Sequence, residues 1–137
     1  MNPNTRTRPS RIRGVTLLEL LTVTAIIGIL AAIAIPSYQD HVRRGQIEEA
    51  TAVLSQGRVA TEQFFLDNRT FAAAPCPANT DNFVLTCAGN ATTYTITATG
   101  AGNLASFVFT INERNARSTT SPWGNGACWI MKKGQSC

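Results

Sequence analysis

Hydrophobic and polar positions change pattern several times along the chain, and each change marks an element. Residues 15–35 are a continuous apolar run of 21 residues whose one charged side chain is Glu19. A helix of that length, at about 1.5 Å per residue, spans roughly 31 Å, close to a bilayer's hydrocarbon core. After Pro36 the apolar positions thin out and recur at helical spacing. They are Ile47, Ala50, Leu54, Thr61 and Phe65, with Val53 and Phe64 beside them. Arg43, Arg44, Glu48, Glu49, Arg58 and Glu62 fall mostly elsewhere. The pattern predicts one helix over about residues 16–65, apolar all round at first and amphipathic later. Pro36 predicts a kink and a lost backbone hydrogen bond, although it and Gly28 are both tolerated in membrane helices. Gly45 and Gly57 each weaken such a helix by up to about 1 kcal/mol relative to Ala, and mark close packing or curvature.

Helical spacing is lost over residues 66–82, where Pro75 and Pro77 mark a loop. Strand signals follow. Residues 83–87 are short and β-rich. Residues 93–98 alternate, with Tyr94, Ile96 and Ala98 facing one way and threonines the other. Residues 100–103 form a turn. Residues 104–113 alternate again and place Phe107, Phe109 and Ile111 on one face, which the helix would cover. Asn125-Gly126 marks a tight turn before a last strand over residues 127–132. The expected fold is α+β: one long N-terminal helix packed on an antiparallel sheet of about four strands.

Charge changes the reading of the N-terminus. The chain's net charge is +4, but Arg6, Arg8, Arg11 and Arg13 precede the apolar run with no acid among them. Without that piece, eight basic residues face eight acids. The basicity belongs to the first residues, and is poor support for nucleic-acid binding by the rest. Arginines before an apolar span stay cytoplasmic and direct the C-terminal part outside. An ordinary secretory signal has a shorter apolar region followed by its cleavage site, whereas here the run is long and Pro36-Ser37-Tyr38-Gln39 follows it. A plain anchor explains the length but not Glu19, because an acid within a membrane segment costs on the order of 2.5–3.5 kcal/mol. Helix-dipole stabilisation returns only about 0.3–1 kcal/mol of that. A cut before the apolar run, after Gly14, that keeps the apolar segment fits better than either.

Those residues carry a resemblance. Arg13-Gly14-Val15-Thr16-Leu17-Leu18-Glu19-Leu20 resembles the class III signal of type IV prepilins and pseudopilins, and the likeness continues through Gly28 to Pro36. Val15 stands where the family most often has phenylalanine. The resemblance implies that a prepilin peptidase cuts between Gly14 and Val15 and methylates Val15. It implies that Glu19 serves assembly by pairing with a terminal amine, its own or a neighbour's. It also implies local melting of the helix between Gly28 and Pro36 on packing into a fibre, and subunit contacts made by the loop at residues 66–82. The domains expected are a cleaved leader at 1–14, a membrane and filament-core helix at 15–37, and a pilin head at 38–137. The precursor would sit in the inner membrane with its head in the periplasm, and move to a surface pilus with other pilin subunits through the inner-membrane assembly machinery.

Cys76, Cys87, Cys128 and Cys137 all lie in the second half of the chain. An even number in a short chain behind a membrane segment reads as disulfides in an oxidising compartment, and four cysteines allow three pairings. Adjacent pairing would close two short loops and tie down the C-terminus. A zinc site is a poor alternative, because there is no CxxC pair and the one histidine, His41, lies far upstream. No metal or cofactor is expected. The tail at residues 123–137, bounded by Cys128 and Cys137, resembles the C-termini of four-cysteine minor pilins.

The function expected is that of a minor pilin, a structural subunit of a pilus used for adhesion, twitching motility or DNA uptake. One alternative is a DNA-receptor minor pilin, with Arg114, Arg117, Lys132 and Lys133 as a basic patch beside Trp123 and Trp129 for stacking. Against it, four cations on a neutral head are ordinary solvated charge, and that bland reading is preferred. A second alternative is a type II secretion pseudopilin, which the cysteine-bounded tail disfavours. Enzymatic activity is not expected, since one histidine beside the apolar segment builds no nucleophile or acid–base set and no phosphate loop is present.

Overall fold

The computed structural model describes residues 14–137. The arginines of the expected leader lie outside the described residues. The longest element is α1, Leu17–Asn68, which remains helical through Gly28 and Pro36. The chain divides into two compact units, one ending at Ser37 and the other Tyr38–Cys137.

Among the described residues of the first unit the large apolar side chains are all open, from 47% exposed at Val23 to 77% at Leu17. The hydroxyls of Thr22 and Thr24 bond the helix's own carbonyls. Thr22 Oγ1 donates to Leu18 O at 2.8 Å, and Thr24 Oγ1 to Leu21 O at 3.0 Å. Hydroxyls that bond their own helix leave its surface apolar.

In the second unit Ile47, Ala50, Thr51, Leu54, Gly57 and Thr61 of α1 are buried. Phe65 is half-buried rather than buried. The sheet has five antiparallel strands in the order β1 (Phe83–Gly89), β2 (Tyr94–Gly100), β3 (Val108–Asn112), β4 (Arg117–Ser121) and β5 (Gly124–Gly126). Register places Cys87 opposite Ile96, Ile96 opposite Ile111, and Ile111 opposite Arg117. Phe83, Ile96, Phe109 and Ile111 point into one core with Ile47 and Leu54. Each such side chain contributes roughly 1.5–3 kcal/mol on burial. Tyr94, Ile96 and Ala98 are buried along β2 while the alternate threonines are not, as their spacing predicts.

The last part of the sheet corrects the sequence reading. Residues 127–132 form no strand, and Asn125-Gly126 is not a turn but part of β5, with the turn at Pro122-Trp123. The strand that local pattern does not reveal is β4, whose sequence Arg-Ser-Thr-Thr-Ser offers no apolar alternation to detect. Its inward residue is Thr119, 2% exposed, whose Oγ1 accepts from Ile130 N–H at 3.0 Å and donates to Cys128 O at 2.8 Å. A side chain thus does for the tail what a ladder partner would have done. Residues 104–107 also depart from the expected strand, because a 3₁₀ turn at Gly102–Leu104 precedes β3. That turn lies so close to Gly100 that a Cβ there would overlap the Leu104 backbone.

The loop after α1 and the C-terminal tail lie against the two ends of the sheet. Beyond β1, the loop after α1 supplies Thr80 Oγ1 to Phe83 N–H at 3.1 Å and Asn79 Oδ1 to Leu85 N–H at 2.8 Å. The Cys76–Cys87 disulfide, Cα–Cα 5.6 Å, ties that loop to β1. Beyond β5, the tail is tied by Cys128–Cys137, Cα–Cα 5.5 Å, and Cys137 lies against Gly126. With the N–H groups of Phe83 and Leu85 occupied, this part of the β1 edge does not offer them to a foreign strand.

Candidate functional site

Two regions carry the sequence's candidate chemistry. The first is the start of α1. Gly14, Val15 and Thr16 lie outside the helix and are exposed. Thr16 is its N-cap: Oγ1 accepts from Glu19 N–H at 3.1 Å, and the Thr16 carbonyl accepts from Leu20 N–H at 3.1 Å. Thr16-Leu17-Leu18-Glu19 therefore matches the Ser/Thr-x-x-Glu start signal of a helix, a second meaning for residues that the sequence presents first as part of a cleavage signal. Glu19 is the acid of the first turn and is open to solvent. The peptide bond between Gly14 and Val15 is accordingly in exposed backbone ahead of the helix.

The second region is the tail. Arg117 lies with its guanidinium carbon 4.5 Å from the centre of the Trp129 ring, and Trp129 Nε1 donates to Thr110 O at 3.0 Å. The indole is thus fixed, and the cation is held on its face. Gln135 braces the loop, accepting from Met131 N–H at 2.9 Å and donating to Trp129 O at 3.3 Å. Lys132 and Lys133 are exposed in this loop. Arg114 stands in the turn after β3, its side chain 82% exposed and 3.4 Å from Glu113. Trp123 does not join this surface. It is buried edge-on against Phe107, with ring centres 5.1 Å apart, and cannot stack on a ligand.

Between helix and sheet lies a polar seam. The Tyr94 hydroxyl donates to Glu62 Oε1 at 3.0 Å, and Arg58 Nε lies 3.9 Å from the same oxygen. Burial, and then the bond to Glu62, push the Tyr94 phenol up to about 12. Asn82 joins the loop to α1, donating to Glu49 Oε2 at 2.8 Å and accepting from Gln46 at 2.9 Å. Among the described residues there is no cluster of His, Cys, Asp and Glu able to hold a metal ion.

Comparison with known proteins places this architecture. The family model described as type IV minor pilin ComP, DNA uptake sequence receptor, matches residues 36–118, more than half of the chain. The chain belongs to this type IV minor pilin family. A second model, the prokaryotic N-terminal methylation motif, matches residues 9–35. The pilin is similar to a fimbrial protein of Pseudomonas aeruginosa, 44% identical over 68 residues that cover 50% of this chain and 44% of the relative. It is also similar to the type IV major fimbrial protein FimA of Dichelobacter nodosus, 49% identical over 57 residues covering 42% of this chain and 36% of the relative. Each match thus spans less than half of the relative's length. Its fold is that of the non-core minor pilin PilV of Neisseria meningitidis, with a TM-score of 0.57 at 15% identity, covering 66% of this chain and 98% of that one. Arg114 and Arg117 fall within the residues matched by the minor pilin model, and Lys132 and Lys133 fall after them.

Proposed function

We propose that this pilin is a minor structural subunit of a type IV pilus, made as a precursor that is cut between Gly14 and Val15 and methylated at Val15. The observation that carries the reading is the family match over residues 36–118, set directly behind a methylation motif at residues 9–35. The helix of the first unit supports it, since every large apolar side chain there is open and suited to lipid or to other helices. Before assembly the helix spans the inner membrane and the head lies in the periplasm. On assembly the same apolar surface packs against other pilins, with Gly28 and Pro36 as the weak points of the helix. Glu19 pairs with a Val15 amine and sets the axial register. Glu19→Val tests this: loss from sheared pili at unchanged membrane level is expected, and normal pilus yield refutes the pairing. Mass spectrometry of the mature N-terminus checks for methyl-Val15.

A second reading, DNA binding during uptake, is favoured by the matching family's description and by the fixed Arg117–Trp129 pair. Arg114, Lys132 and Lys133 would add phosphate contacts, and Trp129 a stacking surface. Duplex DNA binding by the full-length protein in detergent micelles, measured against salt, is the test. Removing one phosphate-binding cation, as in Lys132→Ala, lowers the salt slope by about one. No binding at low salt refutes this reading and leaves the structural one standing.

A further inference from the structure

At the start of the head, Tyr38, Gln39, Val42 and Arg43 of α1 and Asn103 of the 3₁₀ turn line an open pocket of about 330 Å³. We propose that this pocket takes the phosphate headgroup of an anionic phospholipid from the leaflet that the head faces before assembly. The proposal rests on the reading of residues 15–35 as a membrane span.

Chain length puts the pocket at the right depth. Ile35 is the last residue of the apolar run, Tyr38 follows by three residues and Arg43 by eight. At 1.5 Å per residue these are helix rises of about 4.5 and 12 Å. The headgroup layer extends roughly 5–8 Å beyond the hydrocarbon. Side chains on a helix lean toward its N-terminus, here toward Ile35, and a long arginine stem extends that reach. A span that ends at Ile35 therefore leaves Tyr38 within reach of the layer by chain length, and the length of an arginine stem gives the Arg43 guanidinium the same reach.

The lining fits the chemistry of a headgroup. A guanidinium offers paired donors that match phosphate oxygens, and the Gln39 and Asn103 amides add further donors. Tyr38, 70% exposed, and Val42, 41% exposed, are unusually open for their types and supply the apolar side for the glycerol and upper chain carbons. A tyrosine ring with a polar tip suits a membrane interface. Asp40 lies 3.7 Å from Arg43, with both side chains about a third exposed. A pair that long and that open holds its cation weakly, leaving donors free. Arg44 and His41 are exposed on the same stretch of helix. Arg43 and Arg44 therefore outnumber the acid Asp40 on this stretch.

The experiment uses the full-length protein in lipid nanodiscs of phosphatidylcholine alone or mixed with phosphatidylglycerol, counting lipids retained after detergent extraction by native mass spectrometry. Retention of phosphatidylglycerol over phosphatidylcholine is expected. Arg43→Gln should lower that preference about fivefold, the equivalent of about 1 kcal/mol per arginine at an anionic surface. Asp40→Asn, which frees Arg43, should raise it. Equal retention of both lipids, or an unchanged preference in Arg43→Gln, overturns the proposal while the chain still inserts. Complete competition by inorganic phosphate overturns the assignment to lipid. A photo-crosslinker at Val42 that captures a second copy of the chain in place of lipid also overturns it. Failure to enter nanodiscs at all refutes the membrane reading beneath it.

Discussion

Replacing Thr119 by valine keeps side-chain shape and removes one oxygen. In the native head that oxygen accepts from Ile130 N–H at 3.0 Å and donates to Cys128 O at 2.8 Å, at a residue 2% exposed. Thr119→Val strands both backbone groups, and Ile130 is itself buried. An unsatisfied buried donor or acceptor costs about 1–3 kcal/mol. The pair should therefore cost about 2–4 kcal/mol, with some relief from no longer burying a hydroxyl. Thr119→Ser keeps the oxygen and loses one methyl group, a cost of about 1 kcal/mol. Urea titration of the full-length protein in non-ionic micelles, followed by Trp123 and Trp129 fluorescence, should rank the three proteins wild type, then Ser, then Val. The Cys128–Cys137 bond closes the tail on itself without bonding it to the sheet, so the loss should also show locally, as faster hydrogen exchange at Ile130. A valine variant as stable as the serine variant would show that Thr119 does not organise the tail.

Two glycines of α1 should respond with opposite signs. Gly45→Ala meets nothing within 4 Å and should stabilise by up to about 1 kcal/mol, whereas Gly57→Ala drives a methyl group into Pro77 and should destabilise despite the same gain in helix propensity, both read by urea titration. Tyr94 has its phenol raised from 10.0 to about 12 in the folded head, so its contribution to stability is fully present below pH 10 and lost as pH rises through 12. Stability measured across that window should fall with pH, and Tyr94→Phe should flatten the fall. Replacing Cys76 and Cys87 together by serine opens a loop of sequence separation 11 and should cost about 3 kcal/mol, with faster exchange at Phe83 and Leu85 because Thr80 and Asn79 are no longer tethered.

What could be read from the sequence is what local patterning encodes. An unbroken apolar run followed by a helical spacing requires one long helix whose character changes near Pro36, and the structure has α1 from Leu17 to Asn68. Period-two alternation requires strands with one buried face, and Tyr94, Ile96, Phe109 and Ile111 are indeed buried. The helix start is equally local, written in Thr16-Leu17-Leu18-Glu19, where the same residues also carry the processing signal. Tertiary structure alone decided the rest, because it depends on partners distant in the chain. β4 is a strand because β3 pairs with it and the tail hangs from Thr119, not because its own residues are apolar. Trp123 and Trp129 look equivalent in sequence, yet Phe107 buries one and Arg117 caps the other. The pocket beside Arg43 exists only where Asn103 returns to the helix from some 60 residues away, a meeting that no local pattern records.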